Sequence, residues 1–351
     1  MKKIIIIGNY GDGNIGDEAI LDVLVDEIAD AETHPVEIIV PSRNPGKLQE
    51  MHKDKIRAIN PAGIIKEFIF ADTIILGGGT VFSRYSGIYI YFSLFLIILS
   101  DISGKHAFFK GIGISGNLPF MLEILIKFTI MFVEGISTRD MESFAIFKNM
   151  GFRNSISLVS DYGSRMGPSG NERIEQILSK EKINTNELLV GLSMNYHREE
   201  KINEEMMRFI PETIDWIIDN YNVHIIFFTF CPSFSCNGKR SDRDLGIKMF
   251  EHVKNKNKFK VLDYYIHKET IGLIGKMDIF VGMRYHSQVF AHKQGIPLIG
   301  IAYDDKCRRF LNENHLEGLD ISDAMANPEK FRMLISNSLE KICGHKYERN
   351  S

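Results

Sequence analysis

Residues 4–29 read IIIIGNYGDGNIGDEAILDVLVDEIA, a short apolar run followed by a glycine-rich segment and a longer amphipathic run. Four consecutive isoleucines predict a buried β-strand that ends at Gly8, because β-branched residues favour the strand conformation. Apolar residues at helical spacing from Asp17 to Ala29 predict a helix. A strand, a glycine-rich turn and a helix in this order are typical of the start of a parallel α/β sheet.

The same alternation of strand and helix continues along the chain and restarts after a polar stretch. It runs to about residue 160 and begins again at about residue 188. Strands that alternate with helices predict a parallel sheet with helices on both faces. We therefore predict an α/β fold with two doubly wound Rossmann-like domains facing a cleft, at residues 1–165 and 188–351, joined by a linker at residues 166–187.

The composition is that of a globular protein with no surplus of either charge. The 351 residues include 42 Lys and Arg against 45 Asp and Glu. This balance argues against nucleic-acid binding, which usually shows a basic surplus. The sequence has no signal-peptide pattern, and its longest apolar stretch, Tyr89–Leu99, is too short to span a bilayer. We therefore predict a cytoplasmic protein. The sequence also lacks the spacing of metal ligands, and we predict that the protein needs no metal or cofactor.

Two glycine-rich segments follow predicted strands in the first half of the chain. They are Gly8–Glu18 and Gly77–Thr80. Ligands of open α/β sheets bind at the carboxyl ends of strands, where glycines let backbone N–H groups approach them. The alternative is a tight turn capped by Asp17 in the first segment, and close packing of the next element in the second. The residues that we predict to contact a sugar are Asn9, Asn14, Asp17, Gly78 and Gly79.

A third segment, Ser137-Thr138-Arg139-Asp140, ends a predicted strand and starts a helix. Arg139 at this position suits a carboxylate or phosphate, because its planar guanidinium binds such groups bidentately. The alternative is a surface arginine paired with Asp140 or Glu142.

The fourth segment brings three candidate residues to the ends of two successive strands. Arg284 and His286 follow one predicted strand, and Lys306 follows the next. Adjacent parallel strands would place all three at one edge, where two cations and an imidazole suit an anion and proton transfer. The alternative for His286 is a structural hydrogen bond at a helix N-terminus.

Five stretches together are similar to the polysaccharide pyruvyltransferase family, in particular to bacterial cell-wall pyruvyltransferases. They are GNYGDGNIGDEAIL (8–21), GGGTVFS (77–83), GIGISG (111–116), STRD (137–140) and RYHSQVFAHKQGIPLIGIAYDDKCRRFL (284–311). The resemblance implies a two-domain glycosyltransferase-B-like fold and transfer of pyruvate from phosphoenolpyruvate to a sugar as a cyclic ketal. By motif position it assigns donor binding to Arg139, His286 and Lys306, with Arg284 beside them, and we expect His286 to be the catalytic acid or base.

The resemblance also implies which substrate each domain binds. The first domain would bind a sugar acceptor, lipid-linked or nucleotide-linked, and the second would bind phosphoenolpyruvate as a co-substrate. Three positions depart from the family pattern: Tyr162 replaces the proline of an Asp-Pro pair, Asn195 replaces an arginine, and Asp304-Asp305 replaces Asp-Pro. Two other functions stay open, a nucleotide-sugar glycosyltransferase and a non-catalytic sugar- or anion-binding homologue.

Two apolar segments, Tyr89–Leu99 and Leu118–Val133, leave almost no polar face if they are helical. A helix that is apolar all round is buried in protein or in lipid. We predict peripheral contact with the inner face of the cell membrane, where a lipid-linked acceptor would lie. The alternative is burial of both helices against the sheet or against a second subunit in a homo-oligomer.

Overall fold

The computed structural model describes residues 1–84, 86–114, 117–232 and 241–349, with side chains described to residue 342. The chain divides into two compact units, Met1–Met166 and Gly167–Ser351. The division lies one residue beyond the predicted end of the first domain.

The first unit alternates strands and helices from its first residues. In chain order its elements are β1 (Lys2–Ile7), α1 (Ile15–Ala31), β2 (Val36–Pro41), α2 (Pro45–His52), β3 (Arg57–Ile59), α3 (Ile64–Phe70), β4 (Thr73–Phe82), α4 (Ile88–Ile102), β5 (His106–Ile114), α5 (Phe120–Thr129), β6 (Gly135–Thr138), α6 (Met141–Asn149) and β7 (Ser155–Leu158). The described strands form a seven-stranded parallel sheet in the order β3-β2-β1-β4-β5-β6-β7. The chain reverses its direction across the sheet between β1 and β4, the point at which open α/β sheets bind ligands.

The second unit repeats this architecture. Its elements are α7 (Asn171–Lys180), β8 (Leu189–Ser193), α8 (Glu200–Tyr221), β9 (His224–Phe227), α9 (Asp242–His252), β10 (Phe259–Val261), α10 (His267–Ile274), β11 (Ile279–Gly282), α11 (Tyr285–Lys293), β12 (Leu298–Ala302), α12 (Asp305–Glu313), β13 (Glu317–Asp320), α13 (Ile321–Ala326) and α14 (Pro328–Arg349). Its described strands form a six-stranded parallel sheet in the order β10-β9-β8-β11-β12-β13. Here the direction reverses between β8 and β11. The predicted α/β class with two parallel sheets is confirmed.

The sequence pattern does not predict β3 or α3. β3 has three residues and α3 has seven, which is too short for a hydrophobic period to be recognised. Long apolar runs are better predictors: the apolar segment Tyr89–Leu99 lies within α4, and the segment Leu118–Val133 contains α5 and the 3-10 turn that follows it.

The segment at residues 166–187, expected as a linker, contains α7 and belongs to the second unit. Ile174, Ile177 and Leu178 on α7 are buried, and α7 packs against α10. A methyl group on Gly272 of α10 would lie 2.5 Å from the Ile174 side chain, so the two helices approach closely. The polar composition that suggested a linker comes from the solvent face of an amphipathic helix.

Helices α3, α4 and α5 pack their inner sides on one hydrophobic cluster of the first unit. Their outer sides and the 3-10 turn after α5 carry exposed large apolar side chains, which we call the outer apolar face: Ile65, Ile69, Phe70, Ile88, Phe95, Ile102, Phe120, Met121, Ile124, Phe128 and Met131. Within the described residues, no helix is both long enough and apolar enough to cross a membrane. Burial of α4 and α5 against the sheet therefore accounts for only one side of each helix.

Candidate active site

The carboxyl edge of the second sheet carries three of the predicted site residues. β11 and β12 are parallel neighbours, with Gly282 opposite Gly300. Arg284 and His286 follow β11, and Lys306 follows β12. The topology thus brings the three residues to one edge of one sheet, as the motif spacing predicts.

His286 and Lys306 both contact the ring of Tyr285. The Lys306 ammonium lies 5.2 Å from the Tyr285 ring centroid, and the His286 ring lies 5.1 Å from it on an edge-to-face geometry. Lys306 Nζ is also 3.8 Å from an Asp304 carboxylate oxygen, and its side chain is 30% exposed. Asp304 caps α12 by accepting a hydrogen bond from the Cys307 N–H. A cation and an imidazole are therefore held beside one aromatic ring, and sequence reasoning did not single out Tyr285.

Arg284 is engaged inside the protein. Its Nε donates to Asp242 Oδ2 at 2.6 Å, and its Nη2 donates to Asp242 Oδ1. Asp242 is fully buried and also accepts N–H hydrogen bonds from Phe230 and Cys231. Burial raises the pKa of Asp242, and the Arg284 charge opposes that rise. This bidentate pair joins the N-terminus of α11 to that of α9, so the geometry gives Arg284 a structural role, and donor binding by it stays a prediction.

Arg139, in the first unit, is likewise buried and internally paired. Its guanidinium donates to Asp161 Oδ2 at 3.1 Å and to Thr80 Oγ1 at 2.5 Å. Its side chain is only 4% exposed, and a methyl group on Gly113 would lie 2.7 Å from Arg139 Nε. The predicted local partner Asp140 is more distant, at 3.7 Å. The arginine thus ties the ends of β4 and β6 to residue 161, and donor binding by it also stays a prediction.

Both predicted glycine-rich segments lie at the switch point of the first sheet, because β1 and β4 are adjacent. Close packing explains several of the glycines. A methyl group on Gly8 or Gly77 would lie under 3 Å from the buried ring or hydroxyl of Tyr10, and one on Gly78 would lie 2.0 Å from Ile20. Close packing on Ile20 therefore explains a glycine at position 78, and its contact with a sugar stays a prediction.

The remaining predicted sugar contacts have different surroundings. Asn9 is exposed, two residues after the end of β1. Gly79 has a φ of +90°, and a methyl group there would lie 3.5 Å from Asp17 Oδ1, so Asp17 lies beside it. Asn14 is the N-cap of α1, with its side chain accepting the Gly16 N–H at 3.2 Å. The cap of this helix is thus Asn14, three residues before the expected Asp17.

A buried ion network beneath the first glycine-rich segment was missed by sequence reasoning. Glu18 Oε2 is 3.0 Å from His52 Nε2, and His52 Nδ1 is 2.9 Å from Asp22 Oδ1. Burial lowers the pKa of His52, but its hydrogen bonds to Asp22 and Glu18 outweigh this and raise that pKa to about 9. The available signal was a pair of acidic residues within an apolar helix. His52 lies 34 residues from Glu18 and follows no motif.

Two departures from the family pattern, Tyr162 and Asn195, lie shortly after strand ends, and the structure explains the first of them. Tyr162 packs its ring against Gly111, where a methyl group would lie 2.3 Å away, and donates a hydrogen bond to Glu27. Asn195 follows β8 at the switch point of the second sheet, and its N–H points to Met283 Sδ at 3.4 Å. Ser115 and Gly116 of the GIGISG stretch lie outside the described residues. Among the residues whose side chains are described, no three His, Cys, Asp or Glu are grouped to hold a metal ion.

Three solved structures similar to this chain are named for, or were solved with, a sugar nucleotide. UDP-GlcNAc 2-epimerase from Methanocaldococcus jannaschii is 13% identical with a TM-score of 0.64, over 97% of this chain and 92% of that one. ADP-heptose lipopolysaccharide heptosyltransferase II from E. coli is 10% identical with a TM-score of 0.55, over 97% and 99%. HepE from Anabaena, solved with UDP-glucose, is 12% identical with a TM-score of 0.56, over 97% and 94%. These similarities show the glycosyltransferase-B-like fold.

Sequence comparison identifies the family. No curated protein matches the chain in a sequence search. The model of the polysaccharide pyruvyl transferase family matches residues 14–305, which include Arg139, Arg284 and His286 and end one residue before Lys306. The match spans both parallel-sheet units, and the chain therefore belongs to the polysaccharide pyruvyl transferase family and is a transferase.

Proposed function

We propose that this chain transfers the pyruvyl group of phosphoenolpyruvate to a sugar of a cell-surface polysaccharide, or of its lipid- or nucleotide-linked precursor, with release of phosphate. Family membership supports the pyruvyl group as the transferred unit. The observation that carries the donor is the placement of His286 and Lys306 against Tyr285 at the carboxyl edge of β11 and β12.

The chemistry of the donor explains why these residue types are needed. Phosphoenolpyruvate carries a carboxylate and a phosphate, which a nearby ammonium group stabilises. Protonation of C3 of its enol gives oxocarbenium character at C2. One sugar hydroxyl adds to C2 and gives up its proton. A second hydroxyl then bonds to C2 and loses its proton as the C2–O bond to phosphate breaks. The phosphate leaves with the bonding electrons and takes up that proton, which completes the cyclic ketal.

His286 is the residue that we assign to proton transfer. It can hold a proton for C3 or take one from the attacking hydroxyl, since an imidazole does both near neutral pH. The Lys306 ammonium would bind an anionic group of the donor. Tyr285 fixes the position of that ammonium by a cation–π contact. Arg284 contributes by holding the N-terminus of α11, on which His286 lies, through Asp242.

For the acceptor we propose the switch point of the first sheet. Asp17 and Gly79 lie side by side there, and Asn9 is exposed two residues after the end of β1. Carboxylate and amide side chains bind sugar hydroxyls, and a glycine allows the sugar to approach the backbone. The lipid- or nucleotide-linked nature of the acceptor is the part of this proposal that rests on the family alone.

The experiment is an incubation with phosphoenolpyruvate and panels of nucleotide- and lipid-linked sugars. We expect phosphate release and the mass gain of a pyruvyl ketal on one acceptor class. His286→Asn should lower kcat by about 10²- to 10⁴-fold, the usual contribution of a general acid or base. His292→Asn is the matched control, because His292 is an exposed histidine on the same helix.

Other outcomes of this incubation would replace the proposal. Release of nucleotide from a sugar nucleotide, without use of phosphoenolpyruvate, would identify a glycosyltransferase. Binding of phosphoenolpyruvate without turnover on any acceptor would identify a non-catalytic homologue. Complete, reversible loss of activity with a chelator would contradict the metal-free reaction that the sequence predicts.

We also propose that the protein works at the inner face of the cell membrane. The outer apolar face supports this, since it concentrates exposed Ile, Phe and Met side chains on three helices and a 3-10 turn of the first unit. Apolar residues that enter the interfacial region supply membrane affinity without a spanning helix. Association of two chains through this face is the alternative.

A further inference from the structure

The first glycine-rich segment has its N–H groups occupied by the protein itself. Glu18 Oε1 accepts hydrogen bonds from Gly11 N at 2.7 Å and from Gly13 N at 3.1 Å. Both glycines are in the left-handed region, with φ of +89° and +74°, which turns their N–H groups toward the carboxylate. In many α/β proteins such N–H groups, just before the first helix, bind a phosphate. Here a side chain of that helix takes the place of the anion.

The carboxylate is locked from its other side. Glu18 Oε2 meets His52 Nε2, and the opposite ring nitrogen of His52 meets Asp22. Glu18 is 0% exposed, His52 2% and Asp22 4%, so solvent does not compete for these contacts. A buried charge pair with satisfied hydrogen bonds keeps one geometry, because breaking it leaves an uncompensated charge.

The loop has further anchors that do not involve Glu18. The Ser42 hydroxyl donates to the Tyr10 carbonyl at 2.9 Å, and the Asn44 amide donates to Asp12 at 3.1 Å. The loop should therefore stay attached to β2 when Glu18 is changed, and the effect of Glu18 on its N–H groups can be measured separately.

We propose that Glu18 is a specificity-determining and positioning residue that acts as a built-in anion. It excludes phosphate groups from the first glycine-rich segment and fixes that segment for an uncharged, hydroxyl-bearing ligand beside Asp17 and Gly79. This inference rests on the proposed acceptor role of the first unit. It adds that the phosphates of the donor, or of a linked acceptor, do not bind to the N–H groups of Gly11 and Gly13.

Hydrogen–deuterium exchange of the full chain tests the proposal in the segment at residues 8–18, with inorganic phosphate and UDP as probes. In the wild type we expect neither probe to change exchange in this segment, because the N–H groups are already taken. Glu18→Ala should accelerate exchange by about 30-fold, the scale of a lost hydrogen bond to a charged group. Inorganic phosphate should then slow it again, since the freed N–H groups can donate hydrogen bonds to the oxygens of a bound anion.

Asp26→Ala is the matched control, because Asp26 is an exposed carboxylate on α1 that pairs with Lys55. It should exchange like the wild type. Slowing of wild-type exchange by phosphate or UDP would overturn the proposal, and so would wild-type-like exchange in Glu18→Ala or its failure to respond to phosphate. If Glu18→Ala does not fold, Glu18→Gln should accelerate exchange by about fivefold, because a neutral acceptor is weaker, and unchanged exchange would overturn the proposal.

This measurement requires no turnover. Failure of the wild type to use phosphoenolpyruvate would contradict the proposed function and would not affect the interpretation of the exchange experiment. Exchange that responds to phosphate in an active wild type would instead leave the proposed function standing and remove the role of Glu18.

Discussion

The carboxyl edge of the first sheet neutralises its charges internally, whereas the edge of the second sheet keeps a lysine and a histidine partly exposed. In the first unit, Glu18 is enclosed by His52 and two glycine N–H groups, and Arg139 is enclosed by Asp161. In the second unit, Lys306 is 30% exposed and shares the Tyr285 ring with His286. Each edge is the carboxyl edge of its sheet. The first has its charged groups buried in ion pairs, whereas the second has a cation and an imidazole that a ligand can reach.

This difference separates two kinds of cation within one set of family motifs. Arg139 and Arg284 each bind a buried carboxylate and hold strand ends or helix ends together. Lys306 has a longer contact to Asp304 and stays accessible. Removing one partner of a buried ion pair lowers the free energy of unfolding strongly, because the other charge stays buried without a partner. Removing a partly exposed cation lowers it little. Substitutions should therefore divide into those that unfold the protein and those that disable it.

The largest effect is expected for Arg284→Ala. Removing Arg284 leaves the fully buried Asp242 without its cation, so the free energy of unfolding of the second unit should fall by about 3–5 kcal/mol. Urea denaturation of the full chain measures this. Arg243→Ala is the control, since Arg243 pairs with Asp263 on the surface and should change stability by less than about 1 kcal/mol.

A normal unfolding transition in Arg284→Ala, with weakened use of phosphoenolpyruvate, would remove the distinction between the two kinds of cation. Arg284 would then bind the donor, as the family resemblance implies. The same logic applies to Arg139→Ala, whose partner Asp161 is 7% exposed.

A second effect concerns pH and the first unit. The pKa of His52 is raised from 6.5 to about 9 in the folded chain, so protonated His52 stabilises the fold fully below about pH 6.5. This stabilisation is lost as pH rises through about 9. His52→Gln should lower the free energy of unfolding by about 3 kcal/mol near pH 6, and by much less above about pH 10.

Urea denaturation at a series of pH values measures this difference. The charged groups around His52 are Glu18 and Asp22 on α1, with Lys55 Nζ 3.6 Å from Asp22. His106→Gln is the control, because the His106 pair with Glu134 is exposed. A gap between wild type and His52→Gln that is independent of pH would show that His52 is neutral in the fold.

Lys306→Ala tests the accessible cation. Its ammonium is the charge that we expect the donor to meet, so kcat/KM for phosphoenolpyruvate should fall by about 30- to 150-fold, or about 2–3 kcal/mol. Thermal stability should be nearly unchanged, because the side chain is partly exposed. Lys293→Ala, an exposed lysine on α11, should leave both quantities unchanged. Early melting of Lys306→Ala would place Lys306 with the structural cations.

Much of the fold could be predicted from sequence because its signals are local. Runs such as Ile4–Ile7 indicate buried parallel strands, and the convergence of His286 and Lys306 follows from the parallel pairing of successive strands. The linker predicted at residues 166–187 was wrong because the many polar residues of α7 lie on its solvent face. Its few apolar residues do not reveal in the sequence that they pack against another helix.

The charge pairings could not be predicted, because each joins residues distant in sequence. Arg284 meets Asp242 across 42 positions, and Arg139 meets Asp161 across 22. Local reasoning supplied only Asp140 and Glu142 as partners for Arg139. Tertiary packing decides whether an arginine of a motif faces a ligand or a buried carboxylate. Such long-range packing produces no periodic pattern of residues in the sequence.

The smallest expected effect concerns the outer apolar face, which sets the first unit apart from the second in another way. Phe95 and Met121 are 52% and 67% exposed, whereas Phe92 packs partly against the core and is unsuitable for substitution. Phe95→Ser/Met121→Ser should keep the fold and weaken flotation with vesicles of anionic lipid by about fivefold for each side chain, the scale of about 1 kcal/mol of apolar burial. Met333→Ser, on α14 of the second unit, is the control, because Met333 is 54% exposed. A wild type that does not float, but sediments as a dimer that these substitutions dissociate, would show that a second chain covers the face.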